Sequence, residues 1–377
     1  MVEAMDASLY EIRLETYIFN VMGGGEQVVQ ALARAAARGV AVYVVVDGIG
    51  TPDMPAPWPE RLDEAGVQWR VFKPLGRFGL LLPSRWRRLH RKLCVVDGQV
   101  AFCGGMNVLD DWFDPNHGVL TAPRYDFSVC VTGPLVQATH LTMSQFWWRM
   151  QAAQRAKQVD WAGAWQSLQR AVQEKRHAAP TEAATGGAEA ELVLRDNLRF
   201  RRTIERAYRQ ALGDARHDII LANAYFLPGR KIRQSLMHAA RRGVRVRLLM
   251  QGRYEYFMQY HATNALYAQL LAAGIEIYEY TPSFMHAKVA VVDGRWATVG
   301  SSNLDPLSLL LAREANVVVK DVVFAQGLQQ CLEHAMRFDA KQVDADQHAR
   351  RNTRQRVFDA LAYRLMQVLL FVTGRRY

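Results

Sequence analysis

The 377-residue chain carries 47 Lys and Arg against 36 Asp and Glu, a formal net charge of +11, and half of its residues are apolar. These figures exclude a disordered or fibrous chain, and at about 150 residues per domain they allow two or three domains, enough to bury a core without staples. The four cysteines, Cys94, Cys103, Cys130 and Cys331, stand in apolar runs without CxxC spacing, which argues against structural zinc and a disulfide framework.

The cations divide into 39 Arg and 8 Lys. A basic balance of this size favours an anionic partner: nucleic acid, a phospholipid surface or a phosphorylated small molecule. The first twenty residues alternate acids with apolar residues, and no run reaches about 18 consecutive apolar residues, so neither a secretory leader nor a spanning helix is expected.

In chain order, Ile12 to Phe19 reads as a strand. Ala35 to Val40 then closes a helix at Gly39 and leads into the buried strand Val42–Val46, which ends at Asp47-Gly48. Gly66-Val67 to Phe72 is a further strand, followed by His90 to Val96, Asp97-Gly98 and another short strand. Residues 151–176, with Trp161 and Trp165, predict a helix closing a first domain over 1–176. His177 to Ala190, with Pro180, Gly186 and Gly187, is the linker.

The same unit then recurs. Ile219 to Phe226 matches the first strand in type, and Ala239 to Val244 leads into Val246–Met250, ending at Gln251-Gly252. Gly274-Ile275 to Tyr280 matches the third strand, and His286 to Val292 precedes Asp293-Gly294. Strands alternating with helices, twice over, predict an α/β fold of two pseudo-twofold-related domains, each a mixed β-sheet flanked by helices. The second domain is expected over 191–355 and an amphipathic C-terminal segment over 356–377, with Asp359, Arg364 and Gln367 interrupting an apolar run.

The chemistry resides in a duplicated pattern. From His90 and from His286 the offsets are identical: Lys92 and Lys288 at +2, Asp97 and Asp293 at +7, Gly104 and Gly300 at +14, Asn107 and Asn303 at +17. Chance gives about 0.2 His-x-Lys occurrences at this composition, and here two occur with the full downstream pattern. His and Lys two apart on a strand share a face, Gly-Gly or Gly-Ser lets the backbone come close, and Asn adds an amide donor. Such a group suits a phosphate oxygen on which charge builds during displacement. In a chain that prefers Arg, Lys at both places points to a need for a compact charge.

With this HxKx4Dx6GxxN signature in duplicate, the sequence resembles the phospholipase D superfamily, and within it the bacterial cardiolipin synthases. The supporting stretches are Leu14–Tyr17, Arg88–Asp97, Gly104–Asn107, Arg195–Asn197, Ala222–Phe226 and Gly300–Pro306. The resemblance implies two phospholipase D-like domains sharing one active site, no metal, no organic cofactor and a covalent phosphohistidine. One histidine attacks phosphorus and the other, protonated, serves the leaving glycerol oxygen. Family habit makes His90 the nucleophile and His286 the acid. Lys92, Lys288, Asn107 and Asn303 would hold the non-bridging oxygens.

By family pattern an acid orienting each histidine follows the Asn of each motif, and Asp126 and Glu314 match; whether each serves its own half or the other stays open. Asp97 and Asp293 brace the motif turns, and Gly105 and Ser301 support them, with a hydroxyl only in the second. Glu15 and Asn223 are read as equivalent places, and Tyr17 and Tyr225 as the ends of matching strands, all four second-tier site candidates. Asp110, Asp111 and Asp305 are read as turn and cap residues.

Further features bear on the partner. Arg85-Trp86-Arg87-Arg88 behind Phe78–Pro83 reads as a basic, apolar lip for an anionic bilayer, and the C-terminal segment either lies in a membrane interface or docks on its domain. Tyr254, Tyr256, Phe257, Tyr260 and Tyr267 read mainly as core. Relative to the family pattern the N-terminus looks clipped before Ile12.

The expected function is joining two phosphatidylglycerols, or one and another phospholipid, into cardiolipin. The expected place is peripheral, on the cytoplasmic face of a bacterial inner membrane. Basic charge alone does not separate this from a hydrolase or nuclease of the superfamily. The lip, the C-terminus and the synthase-like stretches weigh against nucleic acid. A non-catalytic lipid-binding protein is disfavoured because both motifs are intact. Oligomeric state is not legible.

Overall fold

A computed structural model of the chain describes every residue except 52–53, 77–78, 80–84, 115, 178–186, 197–199, 255–256, 306–311 and 373–377, and for 175–177 and 369–372 it describes the backbone alone. Most of the apolar lip and of the linker, together with Asn197, Tyr256, Pro306 and the terminal arginines, lies outside the described residues. The chain divides into two compact units. One comprises Met1–Asp110 and Ser128–Gly187; the other comprises Asp111–Phe127 and Ala188–Tyr377.

In the first unit the sheet runs in the order Gln68–Phe72, Ala41–Asp47, Glu11–Thr16, Leu93–Val96, Val100–Gly104, Ser128–Thr132. The first three strands are parallel and the rest antiparallel. Central strands such as Ala41–Asp47 are covered on both faces, which is why they read as unbroken Val runs. The helix Gly24–Ala37 buries Val28, Val29, Leu32 and Ala35 against this sheet. It stops at Gly39, whose φ of 91° suits glycine, with Val40 N–H bonded back to Ala35 O at 3.1 Å. Residues 134–177 form two helices, Pro134–Lys157 and Trp161–His177, packed on each other, where the sequence suggested one closing helix over 151–176.

The second unit repeats this order as Glu276–Tyr280, Arg245–Gln251, Asp218–Asn223, Lys288–Val292, Trp296–Gly300, Ala312–Lys320, and adds an edge strand at each side, Ala340–Gln342 and Glu189–Arg195. Its helix Arg230–Arg241 buries Ile232, Leu236 and Ala239 and ends at Gly243 with the same back-bond, Val244 N–H to Ala239 O. Each unit is therefore a mixed α/β sheet flanked by helices.

One device is the same in both. Asp97 accepts from the backbone N–H groups of Leu9, Tyr10 and Glu11, each at 2.8 Å. Asp293 accepts from Arg216, His217 and Asp218 at 2.8, 2.8 and 2.9 Å. Both sit at positive φ in an Asp-Gly hairpin turn, where the following Gly98 and Gly294 are also at positive φ. Burial pushes the Asp293 carboxyl up, but its backbone N–H donors outweigh burial and hold it below the usual carboxylate range. Hydrogen bonds to an ionised acceptor contribute about 1.5–3 kcal/mol each, so this clamp sets the register of the motif strand against the central strand.

The C-terminal helix Thr353–Val372 packs on the helix Phe257–Ala272, sending Ala362 and Met366 into the core. Asp359, which the sequence reads as a break in an apolar run, turns inward and is buried between His261 Nδ1, at 2.6 Å, and the guanidinium of Arg351. Val357, Phe358, Leu361, Leu365 and Val368 are left exposed, each at least half open to solvent. Among the described residues no helix is long and apolar enough to cross a membrane.

Candidate active site

In the first unit, His90 follows Arg88-Leu89 at the start of the motif strand. Asp47, at the end of the strand Ala41–Asp47, fixes that start: its carboxylate accepts from Leu89 N–H at 2.7 Å and pairs with Arg88 Nη1 at 3.1 Å. The His90 ring meets Tyr17 edge to face, centroids 4.9 Å apart. The buried Lys92 donates from Nζ to His90 O at 2.8 Å and lies 5.4 Å from the Tyr17 ring centre. Its ammonium is thus a fixed charge beside the imidazole's own backbone. Asn107 Oδ1 accepts from Ile18 N–H at 3.1 Å, which ties the motif's end to the chain just beyond the strand Glu11–Thr16, next to Tyr17. Gly105 is buried in the turn between them.

The second unit builds its motif in the same way. Lys288, fully buried, donates to His286 O. Asn223 Oδ1 accepts from Leu304 N–H at 3.2 Å, beside the buried Asn303. Gln251, the counterpart of Asp47, accepts from Met285 N–H at 3.1 Å through Oε1. Gly300 must be glycine, because a Cβ there would fall 2.3 Å from Asn316 Cγ.

Asp126 resolves a question the sequence left open. Segment 111–127 runs beside the second motif, with His286 N–H bonded to Tyr125 O at 2.9 Å and Tyr125 N–H to Phe284 O at 3.0 Å. Asp126 Oδ2 then lies 2.7 Å from His286 Nδ1, and Oδ1 accepts from Phe127 N–H at 2.8 Å. Asp126 therefore serves the histidine of the other motif. An ionised carboxylate only accepts, so Nδ1 of His286 carries the proton of this contact.

The fully buried Glu314 receives the Ser301 hydroxyl, and Ser301 Oγ also accepts from Ala315 N–H at 3.1 Å. That hydroxyl is committed to bracing the acid, not offered as a phosphate contact. Asp110 caps the helix Gly24–Ala37 through Gly24 N–H at 2.9 Å.

One reading is corrected. Glu15 and Asn223 do not hold equivalent places: Glu15 stands opposite Leu93, whereas Asn223 stands opposite Lys288, so Thr16 is the counterpart of Asn223 and Ala224 that of Tyr17. A one-residue step changes the face of the sheet. Glu15 accordingly makes a buried ion pair with Arg91 at 2.7 Å. Tyr225 instead lines a pocket with Gln251 and Arg253. Asp47, Gln251 and Arg253 were missed, although Asp47-Gly48 and Gln251-Gly252 recur at the same place in each repeat. Tyr254 and Phe257 are exposed, while Tyr267 is buried. Among the described residues no group of three or more His, Cys, Asp or Glu could hold a metal ion.

Two mixed sheets, each with this motif on the strand antiparallel to its central strand, define a phospholipase D-like protein. A family model described as cardiolipin synthase, PLD-like domain, matches residues 1–122 and 208–336, and the chain belongs to that family. Cardiolipin synthase B of Escherichia coli (strain K12) is 37% identical over 344 residues, 91% of this chain and 78% of that protein. Cardiolipin synthase 2 of Bacillus anthracis is 28% identical over 372 residues, 98% of this chain and 68% of its own length. Among solved structures, phosphatidylserine synthase of Haemophilus influenzae Rd KW20 shares the fold, with a TM-score of 0.67 at 11% identity over 99% of this chain and 90% of that one.

Asp126→Asn keeps the shape of the contact but can present an amide N–H to Nδ1, which favours the wrong tautomer. Turnover of a phosphodiester substrate is expected to fall by about 10²–10⁴ with little change in KM or thermal midpoint. Nitrogen NMR of the His286 ring should show the proton moved to Nε2. Unchanged turnover would remove Asp126 from the site.

Proposed function

We propose that the chain is a phosphatidyltransferase that joins two phosphatidylglycerols, or phosphatidylglycerol and another phospholipid, into cardiolipin with release of glycerol. The observation that carries this reading is the motif built twice in the same way, together with a His286 whose tautomer Asp126 sets. The names of the relatives support it.

In the first half-reaction Nε2 of His90 attacks phosphorus. The phosphorus–nitrogen bond forms as the bond to the glycerol oxygen breaks, and protonated His286 gives its proton to that oxygen. In the second, neutral His286 takes the proton of the acceptor hydroxyl, whose oxygen displaces His90. Lys92, Lys288, Asn107 and Asn303 hold the non-bridging oxygens, and the two ammoniums offset the charge that builds there. Glu314 holds, in the second motif, the place of Asp126 in the first. The residues assigned to these steps require no metal or organic cofactor.

We place the protein peripherally, on the cytoplasmic face of a bacterial inner membrane. The exposed stripe on the C-terminal helix supports this, because Asp359 faces inward and the stripe is flanked by exposed Arg354, Arg356 and Arg364. Apolar side chains with arginines beside them suit an anionic bilayer surface.

Metal-free incubation with phosphatidylglycerol vesicles, read by lipid mass spectrometry, is expected to give cardiolipin and glycerol, and His286→Ala to give neither. Phosphatidic acid in their place would make the protein a hydrolase. Unchanged lipid with cleavage of single-stranded DNA would make it a nuclease. Replacing both Leu361 and Leu365 with Asp should weaken sedimentation with the same vesicles about tenfold or more, with the thermal midpoint kept because both side chains are exposed. Equal sedimentation would remove the helix from the membrane contact.

A further inference from the structure

At the ends of the strands Asp218–Asn223 and Arg245–Gln251 the second unit holds an open recess of about 370 Å³, nearly all of it solvent-open mouth above a floor cavity of about 30 Å³, lined by Tyr225, Gln251, Arg253, Gln259, Tyr260 and Asn264 among others. Three of these residues carry buried polar atoms that meet no partner among the described residues: Gln251 Nε2, Arg253 Nη1 and Gln259 Oε1. Buried polar groups are normally satisfied, and leaving one unmet is costly. Here an amide donor, a guanidinium donor and an amide acceptor are left together around one space. The pocket adjoins the second motif, because the other end of the Gln251 amide accepts from the N–H of Met285, next to His286.

The first unit shows what this place looks like when it is closed. Asp47 stands where Gln251 does, and its carboxylate is fully engaged: by Leu89 N–H, by Ile49 N–H at 2.8 Å, by Gly50 N–H at 3.2 Å and by Arg88. The counterpart of Arg88, two residues before the motif histidine, is Phe284. Arg253 lies over the Phe284 ring, 5.4 Å from its centre. The repeat has thus exchanged a neutralised aspartate for a glutamine and placed a new cation beside it.

Resting on the function proposed above, we propose that this pocket binds the glycerophosphate headgroup of the acceptor phospholipid. Arg253 takes the single negative charge of the acceptor's own phosphodiester. Gln251 and Gln259 offer a donor and an acceptor to its glycerol hydroxyls, each of which both donates and accepts. The terminal hydroxyl is thereby held toward His286. That residue takes its proton as the new oxygen–phosphorus bond forms and the phosphorus–His90 bond breaks. Free glycerol, having no phosphate, uses only the amide part of the pocket.

The experiment compares two products made by one enzyme on phosphatidylglycerol vesicles: cardiolipin, and phosphatidylglycerol carrying labelled glycerol exchanged from solution. Arg253→Gln is expected to lower the ratio of cardiolipin to exchange about tenfold or more through a raised KM for the acceptor lipid, and Arg253→Lys to recover part of it. A ratio unmoved by Arg253→Gln overturns the proposal. Calorimetry with soluble glycerophosphoglycerol separates the pocket from the chemistry. Binding to the wild type that Arg253→Gln abolishes supports the pocket even if no cardiolipin is made, and that pairing would count against the transferase alone. No binding to the wild type, with cardiolipin formed, overturns the pocket alone.

Discussion

The site in each unit depends on one carboxylate clamp. Asp97 and Asp293 each gather three consecutive backbone N–H groups at the start of the central strand, at the far end of the motif strand from the histidine. Side chains alternate along a strand, so sliding by a single residue would turn His and Lys to the opposite face. With the register held, the motif histidine emerges beside the end of the parallel strand, where Asp47 or Gln251 ties the preceding backbone N–H. The lysine then reaches back to the histidine carbonyl. A long flexible side chain is thereby turned into a fixed charge, which electrostatic stabilisation of a phosphoryl group requires.

Two copies of one motif divide the labour of a reaction only if their surroundings differ. Some differences lie inside the motif, such as Gly105 against Ser301, and others outside it. Asp126 reaches His286 from the segment 111–127, which belongs to the second unit although it follows the first motif in the chain. Asp47 closes its corner of the first unit, whereas Gln251 and Arg253 leave the matching corner of the second with polar atoms that meet no partner among the described residues. The open corner lies on the His286 side.

The repeat, the mixed sheets and the placement of both motifs at strand starts were legible because equal spacing in two halves encodes equal local structure. Three things were not. The partner of Asp126 is 160 residues away, and nothing local marks which half it will serve. Glu15 and Asn223 look alike as polar residues near strand ends, yet pairing partners, not composition, decide equivalence, and these differ by one position. Asp359 reads as a polar break in an apolar run until His261 and Arg351 are seen to draw it inward, which leaves the outer face more apolar than the sequence suggests.

The central claim is that the two histidines have different jobs, with the covalent bond on His90. It is tested most directly by acid quench during turnover of phosphatidylglycerol labelled in its phosphatidyl group, followed by peptide mapping. The account predicts label on His90, none in the His90→Ala variant, and label that builds up in His286 variants too slow to discharge it. Label on His286, or label retained when His90 is alanine, would contradict it.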